Sequence, residues 1–254
     1  MDDSSPRRRW HRRVGVGLAA TVGLLLVAFV VWASLARPAE PGPLAEALEL
    51  PGVEVVLDTV VELRPTDRDP VRGVVFYPGA RVSREAYVAT WAPIVAATDT
   101  LVLIPRMPLN LAIFGRSRAA GLIEGHAGVD RWYVGGHSLG GAMAASWLGG
   151  QEPGEVDGLV LWASFATGGA ELADREDLAV LSVSGERDGL ATPEDIAERR
   201  ALLPPNAEMI EVEGMNHAQF GRYGPQGGDL EPAISDVEAQ AALDAAHVEF
   251  FAQR

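Results

Sequence analysis

The pentapeptide Gly136-His137-Ser138-Leu139-Gly140 sets one serine between two glycines. The apolar run Trp132-Tyr133-Val134 before it reads as a short buried strand, and residues 141–148 after it read as a helix. Strand, sharp turn carrying a serine, then helix is the setting in which a G-x-S-x-G sequence presents a nucleophilic hydroxyl. The glycines have a steric reason, because such a turn strains the serine backbone and leaves little room for a neighbouring Cβ. A serine hydroxyl also needs a base to take its proton. His126 precedes the serine-bearing strand and so falls at the wrong edge of a sheet. His137 lies inside the turn and is expected to point elsewhere, and His247 falls in a terminal helix where packing or surface exposure explains it. His217 follows the strand-like run Met209–Val212 in the loop 213–221, and it is the candidate base.

An imidazole acting as a base needs an acid to fix its tautomer and stabilise its charged form. Asp188 follows the apolar run Ala179–Val183 and precedes a helix with Thr192 as its cap and Pro193 in its first turn. That places Asp188 in a loop after a strand end. Glu186 is the rival acid, while Asp195 is accounted for by the dipole of the helix it opens. A tetrahedral intermediate needs two donors for its oxyanion. The backbone N–H of Leu139, the residue after the serine, is one. The other comes from the loop after an early strand, Tyr77-Pro78-Gly79-Ala80-Arg81. Pro78 has no N–H to give, so Ala80 is the expected second donor, with Gly79 permitting close approach.

The elements that must position these residues alternate along the chain. Residues 53–63 alternate like a half-exposed edge strand. Gly73–Tyr77, Leu101–Ile104, Leu159–Trp162, Ala179–Val183 and Met209–Val212 are short apolar strands. Between them lie helical patterns: one starts at Ser83 with Tyr87, Trp91, Ile94 and Val95 on its buried stripe, and residues 111–123 read as mostly helical. A last helix, 235–251, opens with the capping-box pattern Ser235-x-x-Glu238. Strands alternating with helices predict an α/β domain over residues 53–254. Its mostly parallel central sheet has about seven to eight strands, with helices on both faces and the chemistry at the carboxyl ends of the strands.

Ahead of this domain, Val14–Ala36 carries no charge over 23 residues, enough to cross a bilayer as a helix. Residues 1–13 hold five arginines, so the positive-inside rule predicts a basic cytoplasmic segment 1–13, a transmembrane helix or uncleaved signal anchor 14–36, and a catalytic domain outside. Secretion after signal cleavage is the alternative, with Ser34-Leu35-Ala36 as the cleavage site. Residues 37–52, rich in proline and glycine, are expected as a linker with one turn of helix. The 254 residues carry a net charge of −14 and no cysteine. Beyond residue 36 there are 16 basic and 33 acidic side chains, a balance that argues against a nucleic-acid partner and against anionic lipid headgroups, because binding would add like charge to like. The absent cysteine excludes disulfides, thiolate nucleophiles and cysteine-ligated metals.

The order Ser138, Asp188, His217 is that of the alpha/beta hydrolases, which the chain resembles over about residues 53–254. The resemblance rests on Tyr77-Pro78-Gly79-Ala80, Met107-Pro108-Leu109-Asn110-Leu111, Gly136–Gly141, Gly185–Asp188 and Asn216-His217. It looks closest to the small, lid-less branch related to dienelactone hydrolases. The likeness implies Ser-His-Asp acyl transfer, an eight-stranded sheet, and neither cofactor nor metal. Two departures stand out: dienelactone hydrolases use cysteine where this chain has Ser138, and the first oxyanion loop lacks a His-Gly-Gly start. Only about sixteen residues (164–179) separate the two strands after the serine helix, too few for an inserted cap. The expected function is that of a membrane-anchored serine hydrolase acting on small ester or acyl substrates. An acyltransferase or peptidase would use the same residues, and a non-catalytic surface binding protein would keep the fold as scaffold. Nothing in the sequence sets an oligomeric state.

Overall fold

The computed structural model describes residues 6–254, so the start of the expected basic segment 1–13 lies outside the described residues. The chain divides into two units, residues 1–35 and Ala36–Arg254. The first contains helix α1 (Pro6–Ser34), in which Val14–Ser34 has a mean hydropathy of 2.6 and is long enough to span a bilayer.

The second unit is built on one eight-stranded sheet in the order β1-β2-β4-β3-β5-β6-β7-β8. Its strands are β1 (Val53–Leu57), β2 (Val60–Pro65), β3 (Arg72–Tyr77), β4 (Thr100–Pro105), β5 (Arg131–His137), β6 (Gly158–Trp162), β7 (Ala179–Gly185) and β8 (Glu208–Val212). From β4 through β8 all pairings are parallel, while β1–β2 and β2–β4 are antiparallel. Side-chain alternation divides the strand residues between two cores. Val74, Phe76, Val102, Ile104, Val160 and Trp162 join one core, whereas Val75, Tyr77, Leu101, Leu103, Leu159 and Leu161 join the other. Strands covered on both faces read as continuous apolar runs in the sequence.

Helices α2 (Pro41–Leu48), α3 (Val88–Ala97) and α7 (Asp236–Ala252) supply the first core, and α4 (Arg118–Glu124) and α5 (Leu139–Leu148) supply the second. Helix α6 (Pro193–Arg199) begins with a reciprocal capping box between Thr192 and Asp195, and α7 begins with one between Ser235 and Glu238. Three local expectations change. The single edge strand over residues 53–63 is a hairpin turning at Asp58-Thr59. The helix expected over 111–123 breaks at Gly115 into a 3₁₀ turn, Ala112–Phe114, and α4. A Cβ at Gly115 would press within 2.9 Å of Met107 Sδ and Pro108 Cδ, so the chain must pass there as glycine. Residues 37–52, expected as a linker, are folded onto the domain, with Ala47 buried and Leu44 and Leu50 packed on the α3–α7 core.

Candidate active site

The turn between β5 and α5 is built around Ser138, whose φ of 53° and ψ of −124° lie far from the favoured regions for a side-chain-bearing residue. Such a conformation costs about 1–3 kcal/mol and must be held from outside. The Ser138 N–H donates to the Trp162 carbonyl at 2.9 Å, and the Ser138 carbonyl accepts from Ser164 Oγ at 2.7 Å. A Cβ at Gly136 would meet the backbone of Gly140 and Gly141 at 2.5–2.6 Å, and one at Gly140 would strike the Tyr77 and Pro78 carbonyls. The glycines on either side of the serine are therefore a packing requirement, and the loop after β3 lies directly against the turn.

In that loop the Gly79 N–H donates to Tyr87 Oη at 2.9 Å, and the Arg81 N–H donates to the Asn110 carbonyl at 2.8 Å. Both neighbours are thereby engaged, leaving the Ala80 N–H between them. The Leu139 N–H is in the first turn of α5, where no intrahelical acceptor exists. Beside this loop opens a cleft of about 260 Å³ whose lining includes Pro78, Val82, Arg84, Arg106, Met107 and Asn110.

His217 follows β8 and Asp188 follows β7, so both reach the same carboxyl edge. His217 Nδ1 and Asp188 Oδ2 are 2.7 Å apart, and both side chains are almost wholly buried. The second carboxylate oxygen of Asp188 accepts from the Leu190 and Ala191 N–H groups at 2.8 and 2.7 Å. With both oxygens occupied, the carboxylate is fixed and an imidazolium at His217 would have a charged partner. Glu186, the rival acid, is engaged elsewhere and accepts from the Gly214 N–H at 2.8 Å. The His217 ring lies 4.4 Å, centroid to centroid, from that of His137, the residue before Ser138. Among the described residues no hydrogen bond joins the Ser138 hydroxyl to His217; Ser138 follows β5 and His217 follows β8, so both belong to the carboxyl edge of the sheet.

Three contributors were not legible beforehand. Asp229 accepts from the N–H groups of Gly189 at 3.0 Å, His217 at 3.3 Å and Ala218 at 2.9 Å, tying the loop after β7 to the loop after β8. Tyr87 Oη and His137 Nδ1 are hydrogen-bonded at 2.9 Å, which links the residue beside the serine to the Gly79 amide. His137 is fully buried, and burial, reinforced by His217, holds it well below the usual histidine range, so it stays neutral. Ser164 is the third, through its bond to the Ser138 carbonyl. His247 turns out to be core: its Nε2 accepts from Trp162 Nε1–H at 2.9 Å and its Nδ1–H donates to the Leu243 carbonyl at 2.7 Å. His126 lies before β5, hydrogen-bonded to the Leu122 carbonyl. Among the described residues no group of three or more His, Cys, Asp or Glu is placed to hold a metal ion.

The sequence profile of the alpha/beta hydrolase family matches residues 73–241. The chain belongs to that family. Solved structures similar to this family member include a predicted CIB-like hydrolase from Thermoplasma acidophilum, with a TM-score of 0.57 at 15% identity over 80% of this chain and 100% of that one. A candidate dienelactone hydrolase from Klebsiella pneumoniae subsp. pneumoniae gives 0.56 at 16% identity, covering 77% and 92%. An esterase from Pyrobaculum calidifontis gives 0.56 at 16% identity, covering 91% and 93%. At such identities the likeness speaks for the fold. No curated protein matches the chain in sequence.

Proposed function

We propose that this hydrolase is a serine esterase of the small, lid-less, dienelactone-hydrolase-like branch, held at the outer face of a membrane by its apolar amino-terminal helix. The observation that carries the chemistry is the buried His217–Asp188 pair at 2.7 Å, standing at the edge where the strained Ser138 sits. Hydrogen bonds of this kind between serine and base often close only when substrate is bound, and the reading requires that Ser138 and His217 do so.

The steps then follow. Ser138 Oγ attacks the ester carbonyl carbon while its proton passes to His217 Nε2. The resulting oxyanion is stabilised by the Ala80 and Leu139 amides, where loss of one such donor typically costs about 10²–10³ in rate. The alkoxide leaves with the proton from His217, and the acyl group remains on Ser138. Water, deprotonated by His217, attacks that acyl group, and the carboxylic acid departs as Ser138 recovers its proton. Asp188 holds the neutral imidazole in the tautomer with Nδ1–H, so that Nε2 is free to take the proton, and balances the imidazolium while Nε2 carries it.

Support for the anchor is the apolar stretch Val14–Ser34, and the arginine cluster ahead of it favours, by the positive-inside rule, an amino terminus in the cytoplasm. The test is turnover of a p-nitrophenyl ester series by the full chain in mild detergent, beside Ser138→Ala. Release of p-nitrophenol that drops at least about 10⁴-fold in the variant is expected. Equal rates in both would end the esterase reading, and product appearing mainly as an ester of an added alcohol would make the chain an acyltransferase.

A further inference from the structure

The chain enters the folded domain at the edge that carries Ser138. Arg37 forms a parallel bridge with Val82: its N–H donates to the Arg81 carbonyl at 2.6 Å, and its carbonyl accepts from the Ser83 N–H at 2.8 Å. Those partners immediately follow Pro78-Gly79-Ala80, the loop pressed against the serine turn. Three residues on, the Glu40 N–H donates to the Arg222 carbonyl at 2.7 Å, just past the His217 loop. Residues 37–40 therefore run along the site edge. Ser34, the last residue of the apolar helix, is three Cα steps from Arg37, a reach of at most about 11 Å.

The same edge carries an unusual surface. Ile113 and Phe114, in the loop after β4, are 54% and 52% exposed, and Leu190 and Leu230, beside Asp188 and Asp229, are exposed as well. The segment 106–118 bears three exposed arginines, Arg106, Arg116 and Arg118, and no acidic residue, on a domain in which acids outnumber bases two to one. Apolar side chains flanked by cations suit the boundary of an anionic bilayer, and this segment departs from the net negative balance of the domain, which by itself would oppose such a contact.

We propose that the loop 106–118 contacts the bilayer that holds the amino-terminal helix, and that the ester hydrolysed at Ser138 is an amphiphile drawn from that bilayer. This rests on the Ser138 esterase reading and adds the substrate class and its route of entry. Short attachment and surface chemistry then have one explanation: the site mouth is kept against the leaflet.

The test uses the full chain in vesicles of phosphatidylcholine and phosphatidylglycerol containing a fluorogenic long-chain acyl ester, with p-nitrophenyl acetate in the buffer as a parallel substrate. One variant inserts a helical spacer of Glu-Ala-Ala-Ala-Lys repeats between Leu35 and Ala36, about 20 residues and ~30 Å long. The other combines Ile113→Ser with Phe114→Ser. Each is expected to lower turnover of the vesicle ester about tenfold or more, while p-nitrophenyl acetate changes less than about twofold. Wild-type chain that cleaves p-nitrophenyl acetate but not the vesicle ester, or variants in which the ratio of the two rates is unmoved, would overturn the proposal and leave the esterase standing. Acetate release indifferent to Ser138→Ala would remove the esterase itself.

Discussion

Two buried histidines, one at the sheet edge and one in the core, show how the same side chain is put to different ends. His247 sits between Trp162 and Leu243 with one ring nitrogen accepting and the other donating, so a second proton would displace the Trp162 N–H and find no counter-charge. Burial accordingly lowers its pKa to about 4. His217 is equally buried, but its Nδ1 lies 2.7 Å from an Asp188 carboxylate oxygen, so a ring that gains a proton at Nε2 has a counter-charge at its other nitrogen. The surroundings differ in strain as well. The core around His247 is stacked aromatic rings, with Trp91 and Trp162 centroids 4.8 Å apart. The edge around His217 gathers residues at positive φ, Arg81, Leu109, Asn110 and Ser138 among them. Burial alone makes a histidine inert; burial with a fixed carboxylate, at an edge where backbone strain is tolerated, gives one fit for proton transfer.

That contrast breaks most sharply at Asp188. Asp188→Asn keeps the shape but offers the imidazole no charge and permits the wrong tautomer, so kcat for p-nitrophenyl ester hydrolysis should fall about 10⁴-fold. A loss below tenfold would mean the carboxylate is merely structural. Next in size is Asp229→Ala, which frees the Gly189, His217 and Ala218 amides and lets the two loops drift apart. Misplacement on the order of 1 Å costs about 10² in rate, so kcat should drop to that extent with KM little changed and the melting temperature lowered by a few degrees.

How much of this could be read from the chain depended on whether a signal was local. The serine turn, Asp188 and His217 each sit beside a strand end marked by its apolar run, and the Ser235–Glu238 capping box is spelled within four residues, whereas at the helix after Asp188 the sequence shows Thr192 as a cap and the reciprocal bond from Asp195 emerges only in the structure. Asp229 was out of reach because it lies in the glycine-rich stretch 224–230, which has no periodicity, and its partners are backbone amides that carry no sequence mark. Tyr87 was legible as a buried stripe residue, yet its bond to His137 joins positions fifty residues apart. The hairpin at Asp58-Thr59 has neither glycine nor proline to mark its turn, and in the segment 37–52 the prolines and glycines mask the apolar face formed by Leu44, Ala47 and Leu50.

The smallest effect sharpens the core side of the comparison. Since the folded pKa of His247 is depressed, the unfolded chain binds its proton first as pH falls. Stability is therefore whole above about pH 6.5 and declines toward pH 4, by roughly 3 kcal/mol from this group. Thermal melting of the full chain in mild detergent should show this acid loss, and His247→Gln should melt lower at neutral pH but with a flatter pH dependence. Parallel curves for the two proteins would contradict the assignment.

The most direct measurement is covalent trapping. Treated with a fluorophosphonate, the full chain should gain one adduct, mapped by peptide mass to Ser138, and His217→Ala should label at least about 10³-fold more slowly while remaining folded. An adduct at another residue, or labelling of Ser138 that proceeds unchanged without His217, would contradict the convergence of these side chains on one reactive hydroxyl.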